Sequence, residues 1–187
     1  ILTLTLPKRF RKKRKFQSIP IKIEDTKPYV TTSVVLADGT QLTAKLLVDS
    51  RASHGLMLEP TSDPRIAVPD STISSIIGRG LGGVITGKVG RIRSLKLGTY
   101  DVKNVIASFP DPNSYFDSLK LGETERNGAN GGEVVSRFTV IFNFPKEEMY
   151  VKKNASFKKK FHYNLSGLTI KAKGSLLNVF EVTEVRR

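Results

Sequence analysis

The apolar residues of this chain come in short β-branched runs. Each run is closed by glycine, proline or a turn-forming pair, and this spacing constrains the fold more than any other feature. Tyr29 to Ala37 (YVTTSVVLA) and Gln41 to Asp49 (QLTAKLLVD) flank Asp38-Gly39, a pair suited to a tight hairpin turn. Long helical periodicity is scarce. The chain has 187 residues, 39% of them hydrophobic, which suits one compact core with room for a fragment of a second. The expectation is a mainly β domain with little helix.

Residues 1–20 read as a leading strand and an exposed basic connection ending at Pro20. Ile1 to Leu6 is largely apolar but too short for a signal-peptide core or a membrane span. The three prolines between Pro60 and Pro69 predict a loop. Six glycines between Ile76 and Gly90 argue against a regular element there. Lys88 to Leu97 alternates as a strand, Gly98 to Asp101 turns, and Val102 to Phe109 returns. Tyr115 to Leu121 suits one or two helical turns, and Glu133 to Phe138 a short helix after Gly131-Gly132. Thr139 to Phe144 with Met149 to Lys152 predicts a hairpin. Asn154 to Lys160 reads as a basic connection, and Leu168 to Ala172 and Val179 to Val185 as two further strands.

The absence of cysteine excludes a disulfide scaffold, a cysteine-based zinc site and a cysteine nucleophile. The net charge of +14 first suggests a nucleic acid or an anionic membrane. Its distribution is local, however. Seven cations lie between Lys8 and Lys15, and five more at Lys152, Lys153, Lys158, Lys159 and Lys160. Removing those twelve from +14 leaves +2 for the rest of the chain. Two solvated segments are therefore expected, with no nucleic-acid partner and no stable membrane insertion. Phe10 and Phe16 interleave the first run without the signature of an RNA-binding module.

The chemistry concentrates in Leu46-Leu47-Val48-Asp49-Ser50-Arg51-Ala52-Ser53. Three apolar residues in a row suggest a strand buried on both faces, ending abruptly at a carboxylate. A carboxylate in that position is costly unless it is paired or functional. The small residues beyond it permit a tight turn. This stretch resembles the aspartic peptidase signature, in which two apolar residues precede Asp, Thr or Ser, Gly, Ala, and Ser or Thr. Asp49, Ser50, Ala52 and Ser53 match; Arg51 departs, since the family has glycine there. Gly80-Leu81-Gly82-Gly83-Val84-Ile85 resembles the glycine-rich flap of retroviral proteases. Gly132-Glu133-Val134-Val135-Ser136-Arg137-Phe138, followed by Thr139 to Phe142, resembles the late glycine, short helix and strand of that fold. The whole chain is similar to bacterial aspartyl proteases that carry a C-terminal PDZ domain.

The resemblance implies a retropepsin-like acid protease barrel over residues 21–153. A linker and a partial PDZ-like β segment would follow over 154–187. It implies catalysis by two aspartates that share one proton, because two carboxylates that close cannot both ionise. One activates a water while the other polarises the peptide carbonyl. The chain holds one such motif, so the enzyme would be a homodimer with one Asp49 from each subunit. Gly80, Leu81, Gly82, Gly83 and Val84 would close over a peptide substrate as a lid. No metal and no cofactor would be needed, and the family suggests an exported bacterial protein. Ser50 would brace the active-site loops across the dimer.

Arg51 has two readings. It obstructs dimer packing and holds both carboxylates ionised, or it points outward and is tolerated. His54 and His162 read as structural or surface residues, since the fold uses no histidine.

Gly78 to Gly83 fits a dinucleotide fingerprint and Gly82 to Lys88 a phosphate loop. Neither is followed by a helix, and Val89 stands where the second needs Ser or Thr. A serine hydrolase lacks its G-x-S-x-G elbow. The leading expectation is an aspartic endopeptidase. The alternatives are a pseudopeptidase that binds extended peptides and a basic module that binds nucleic acid or an envelope surface.

Overall fold

Asp38-Gly39 makes the turn its sequence predicts. Gly39 takes φ +101°, and the Asp38 carboxylate accepts from the Thr40 amide and hydroxyl, both at 2.8 Å. Those two bonds, amide first, hold the Asp38 carboxyl below its ordinary pKa. The structure is a computed structural model and describes residues 3–4, 6, 10–12, 14–80, 83–112, 125–164 and 166–185. The Tyr115–Leu121 helical expectation lies outside them.

The strands are β1 (Gln17–Pro20), β2 (Lys22–Glu24), β3 (Lys27–Val35), β4 (Gln41–Asp49), β5 (Leu56–Leu58), β6 (Thr72–Gly80), β7 (Gly83–Arg91) and β8 (Ser94–Leu97). They continue as β9 (Tyr100–Lys103), β10 (Ile106–Pro110), β11 (Gly128–Gly131), β12 (Phe138–Asn143), β13 (Glu148–Lys153), β14 (Leu168–Lys173) and β15 (Val179–Val185). One short α-helix, α1 (Gly132–Val135), and two 3-10 turns at Pro60–Ser62 and Phe144–Lys146 lie among the described residues, and the expected mainly β class is the class observed.

The largest sheet runs in the order β6-β7-β10-β5-β11-β4-β3-β8-β9, with β2 also paired to β3. Most pairs are antiparallel, but β10 with β5 and β11 with β4 are parallel. A second sheet runs β1-β13-β12, and β14 with β15 forms a third. Leu42, Ala44, Leu46 and Val48 of β4 face a core shared with Val30, Val34, Leu56, Phe109 and Val151.

Several expectations are corrected. The glycine-rich stretch belongs to a hairpin of two nine-residue strands, β6 and β7, with one irregularity in its register. Gly87 serves close approach: a Cβ on it would lie 2.3 Å from the Phe109 carbonyl oxygen of β10. The Lys88–Leu97 strand is broken at Ile92-Arg93, where Arg93 N–H turns to the Val35 carbonyl and β8 joins a different neighbour. The Val102–Phe109 strand is likewise split between β9 and β10. The predicted helix after Gly131-Gly132 ends at Val135, and Phe138 already belongs to β12. In the first twenty residues the strand falls at Gln17–Pro20, inside the stretch read as a connection.

The segment after β13 is tied to the body. Phe161 is a core residue, and Phe157 and Tyr163 pack against the same core. Arg137, 4% exposed, holds this segment down. It donates to the carbonyls of Ser156 (3.2 Å), Lys159 and Lys160 (3.4 Å), and its guanidinium lies 3.6 Å from the Phe161 ring centre.

Candidate active site

Side chains alternate along β4, so Asp49 shares a face with Lys45 and Leu47, opposite the core-facing Leu46 and Val48. Leu47 and Asp49 are half-buried, and the strand is therefore fully covered on one face only. Asp49 stands at the open end of a strand, and its carboxylate is not driven into the core.

The chain turns directly after it. The amides of Arg51 and Ala52 both donate to Asp49 Oδ1, at 2.9 and 3.2 Å, in an Asp-type turn. One carboxylate oxygen is thus fixed by its own loop. Among the described residues no donor reaches the other. Ser50, Arg51 and Ser53 are exposed, and Ala52 is half-buried.

A second segment supports this turn. β11 runs parallel to β4 with Gly131 opposite Asp49, and α1 starts immediately beyond. The amides of Gly131, Gly132 and Glu133 donate to the carbonyls of Gly55 (2.9 Å), Ala52 (2.8 Å) and His54 (3.3 Å). Three bonds in succession demand close approach. A Cβ on Gly131 would stand 2.0 Å from the His54 oxygen, and one on Gly132 2.7 Å from the Ala52 oxygen. The Gly131-Gly132 pair therefore belongs to the site as the platform under Asp49.

Two buried polar groups lie in these supporting segments; the sequence singled out His54, read as structural or surface, and gave no signal for Asn130. His54 Nε2 is shielded from solvent without a hydrogen-bond partner, as are both amide atoms of Asn130, which is 1% exposed. Burial pushes the His54 pKa down, with the Asp49 charge opposing, so the ring is neutral near neutrality. What ties His54 to α1 is its backbone carbonyl, accepting from the Glu133 amide. His162 is exposed. Glu133 lies 3.6 Å from the Arg137 guanidinium. Burial raises the Glu133 pKa, against the charges of Arg137, His162 and Arg91.

The glycine-rich hairpin has two regimes. Gly87 to Arg91 of β7 pair with β10 and the Thr86 carbonyl accepts from the Asp111 amide at 3.0 Å, whereas among the described residues Gly83 to Ile85 pair only with β6 and project beyond the sheet. Gly83 takes φ +141°, and a Cβ added there would meet nothing within 4 Å, which marks open space at the tip. Gly80 ends β6, Gly83 and Val84 begin β7, and Leu81 and Gly82 lie outside the described residues. No hydrogen bond joins the described residues of the tip to the Asp49 turn. Near its base the hairpin carries an irregularity between Ile76 and Gly78.

Glu184 of β15 reaches that irregularity. Its carboxylate accepts from the Ile76 amide at 2.9 Å, the Ser75 hydroxyl at 3.4 Å and the Thr169 hydroxyl at 2.9 Å. The contact caps an outward amide on an edge strand. Glu184→Ala is expected to speed hydrogen exchange at the Ile76 amide by about tenfold, the population effect of losing one charge-assisted bond. Exchange at Leu46, in the sheet centre, should be unchanged. Equal rates at Ile76 in the two proteins would show that the contact does not hold the hairpin.

Among the described residues, no group of three His, Asp or Glu side chains is placed to hold a metal ion. No helix among them is long and apolar enough to cross a membrane.

No protein-family model and no curated protein matches the chain. Among solved structures it is similar to a retropepsin-like aspartic protease from Rickettsia conorii. The match has 13% identity and a TM-score of 0.46, and it covers 74% of this chain and 96% of that one.

Proposed function

We propose that the chain is an aspartic endopeptidase of retropepsin-like fold, working as a homodimer with one Asp49 from each subunit. The observation that carries the reading is the Asp49 turn: Oδ1 fixed by two amides, Oδ2 open, at the exposed end of a core strand. The projecting β6–β7 hairpin supports it, because a glycine-rich lid with unpaired outer backbone suits an extended peptide. In the dimer the paired carboxylates share a proton. One takes a proton from water as that water attacks the peptide carbonyl, and the other donates a hydrogen bond to the carbonyl oxygen. Ser50 is assigned to bracing the two loops across the dimer. β14 and β15 are assigned to a PDZ-like segment, in keeping with the exposure of Ile170, Phe180 and Val182 on that hairpin.

One observation favours a second reading. Arg51 is exposed on the same turn, where a partner's turn would face it. A pseudopeptidase that binds extended peptides without cutting them would carry such a residue.

The deciding experiment is cleavage of an unfolded protein from acidic to neutral pH by three forms: the chain itself, Asp49→Asn and Arg51→Gly. Cutting by the chain and by Arg51→Gly, with none by Asp49→Asn, is the expected result. Cutting by Arg51→Gly alone would favour the second reading. Undiminished cutting by Asp49→Asn would sink both.

A further inference from the structure

The two basic runs that the sequence keeps more than a hundred residues apart meet in the fold. β1 pairs antiparallel with β13, with Gln17 opposite Val151, so the residues entering β1 lie beside those leaving β13. Lys152 Nζ sits 5.4 Å from the Phe16 ring centre across this junction. The segment before it folds back over the sheet: Phe10 stacks on Tyr150 at 5.4 Å, and Lys12 Nζ lies 5.7 Å from the same ring. On the other side Lys153 Nζ lies 4.1 Å from Phe157, just ahead of Lys158, Lys159 and Lys160.

The result is one basic end of the three-stranded sheet. Arg11, Lys12, Arg14, Lys15, Lys153 and Lys158 to Lys160 are exposed and form no ion pair among the described residues. A cleft of about 760 Å³ continues the patch between Lys103, Lys158, Lys159, Lys160 and His162, with Asp101 as the carboxylate on its wall. The acids Glu147 and Glu148 lie at the other end of β13 and are engaged, with Lys12 the one cation of the patch whose charge acts on Glu148. Glu148 bonds Ser18 and Tyr150, and Glu147 bonds Lys22 and the Ile23 amide.

We propose that this end of the sheet is a docking surface for an anionic phospholipid bilayer. Two observations favour a bilayer over a nucleic acid. The aromatic rings among the cations are engaged: Phe16 is 9% and Tyr150 4% exposed, Phe10 stacks on Tyr150, and Phe157 meets Phe138 edge-on, which leaves little ring face for a base to stack on. Apolar side chains stand free instead: Leu4 is 89% and Leu6 64% exposed, in the segment that leads into the basic run. Lysines and arginines beside exposed leucines match a membrane interface, with cations at the headgroups and short apolar side chains below them. The attachment is peripheral, and it stands independently of any peptidase activity.

The test is sedimentation of the whole chain with vesicles of phosphatidylcholine alone, or of phosphatidylcholine mixed with phosphatidylserine. Binding is expected to the mixed vesicles only and to weaken as salt rises. Each cation near such a surface contributes about fivefold in affinity, so neutralising Lys158, Lys159 and Lys160 to Gln should weaken binding about hundredfold. Neutralising Arg11, Lys12, Arg14 and Lys15 to Gln should weaken it at least as much. Leu4→Ser with Leu6→Ser should weaken it at every salt concentration. All these positions are exposed, and unchanged circular dichroism would confirm that each variant folds. Three results would overturn the proposal: no preference for phosphatidylserine, loss through one cluster with no effect of the other, or tighter binding to a single-stranded oligonucleotide with the leucine variant unchanged.

Discussion

Gly128→Val is expected to destabilise the protein by at least about 4 kcal/mol, enough to leave little folded material. β11 lies between β4 and β5, with Gly128 opposite Leu46 on one side and Leu58 on the other. A Cβ there would stand 1.9 Å from the Met57 carbonyl oxygen, and the residue's φ of +155° disfavours any side chain. The obstructing atom is backbone in a central strand, so it cannot swing aside as a flexible side chain would. Moving it means separating β5 from β11 or β11 from β4, and both pairings position the Asp49 turn. Gly131→Ala tests the space term alone, because Gly131 has an ordinary φ of −86° but only 2.0 Å to the His54 oxygen. Gly83→Ala tests the backbone term alone, with nothing within 4 Å, and should cost about 1–2 kcal/mol. Urea denaturation followed by near-ultraviolet circular dichroism reads all three. A Gly128→Val protein with an unchanged midpoint would show that β11 does not run between those strands.

What the sequence reveals of this fold depends on how far each feature reaches along the chain. β4 spans the predicted residues, because its period-two pattern and the Asp38-Gly39 turn are both local signals. The hairpin of β12 and β13 is legible for the same reason. β5 escapes notice because three residues carry too little pattern, and its partners are over forty residues away in β10 and β11. The glycine count between Ile76 and Gly90 misleads because it measures backbone freedom, whereas Gly87 is there for lack of room against Phe109.

The site divides in the same way. Asp49 and its turn form a contiguous motif, and the late glycine is visible as part of Gly131-Gly132. That these glycines lie under Asp49 follows only from the parallel pairing of β11 with β4. Burial of His54 Nε2 and of the Asn130 amide likewise depends on packing between distant segments, which no local pattern encodes. The basic residues illustrate the same limit. Their separation in sequence suggests two independent solvated segments, and the pairing of β1 with β13 makes them neighbours.

Arg51→Gly is expected to raise cleavage at least tenfold while leaving the subunit's stability within about 1 kcal/mol, the ordinary entropic effect of a glycine. The Arg51 amide already donates to Asp49 Oδ1, and Arg51 is not among the residues with positive φ. Nothing within the subunit therefore requires glycine at this position. The demand arises where two such turns meet in the proposed dimer. Two guanidinium groups brought together there repel each other and must shed water. Beside two carboxylates they also favour the doubly ionised pair over the singly protonated one that the reaction uses. Glycine removes both effects. The dimer fraction should rise in sedimentation. Arg51→Lys, which keeps a charge, should reproduce little of the gain. If Arg51→Gly changes neither association nor cleavage, the Arg51 side chain points away from the partner's turn, and the geometry of the proposed dyad must be drawn without it.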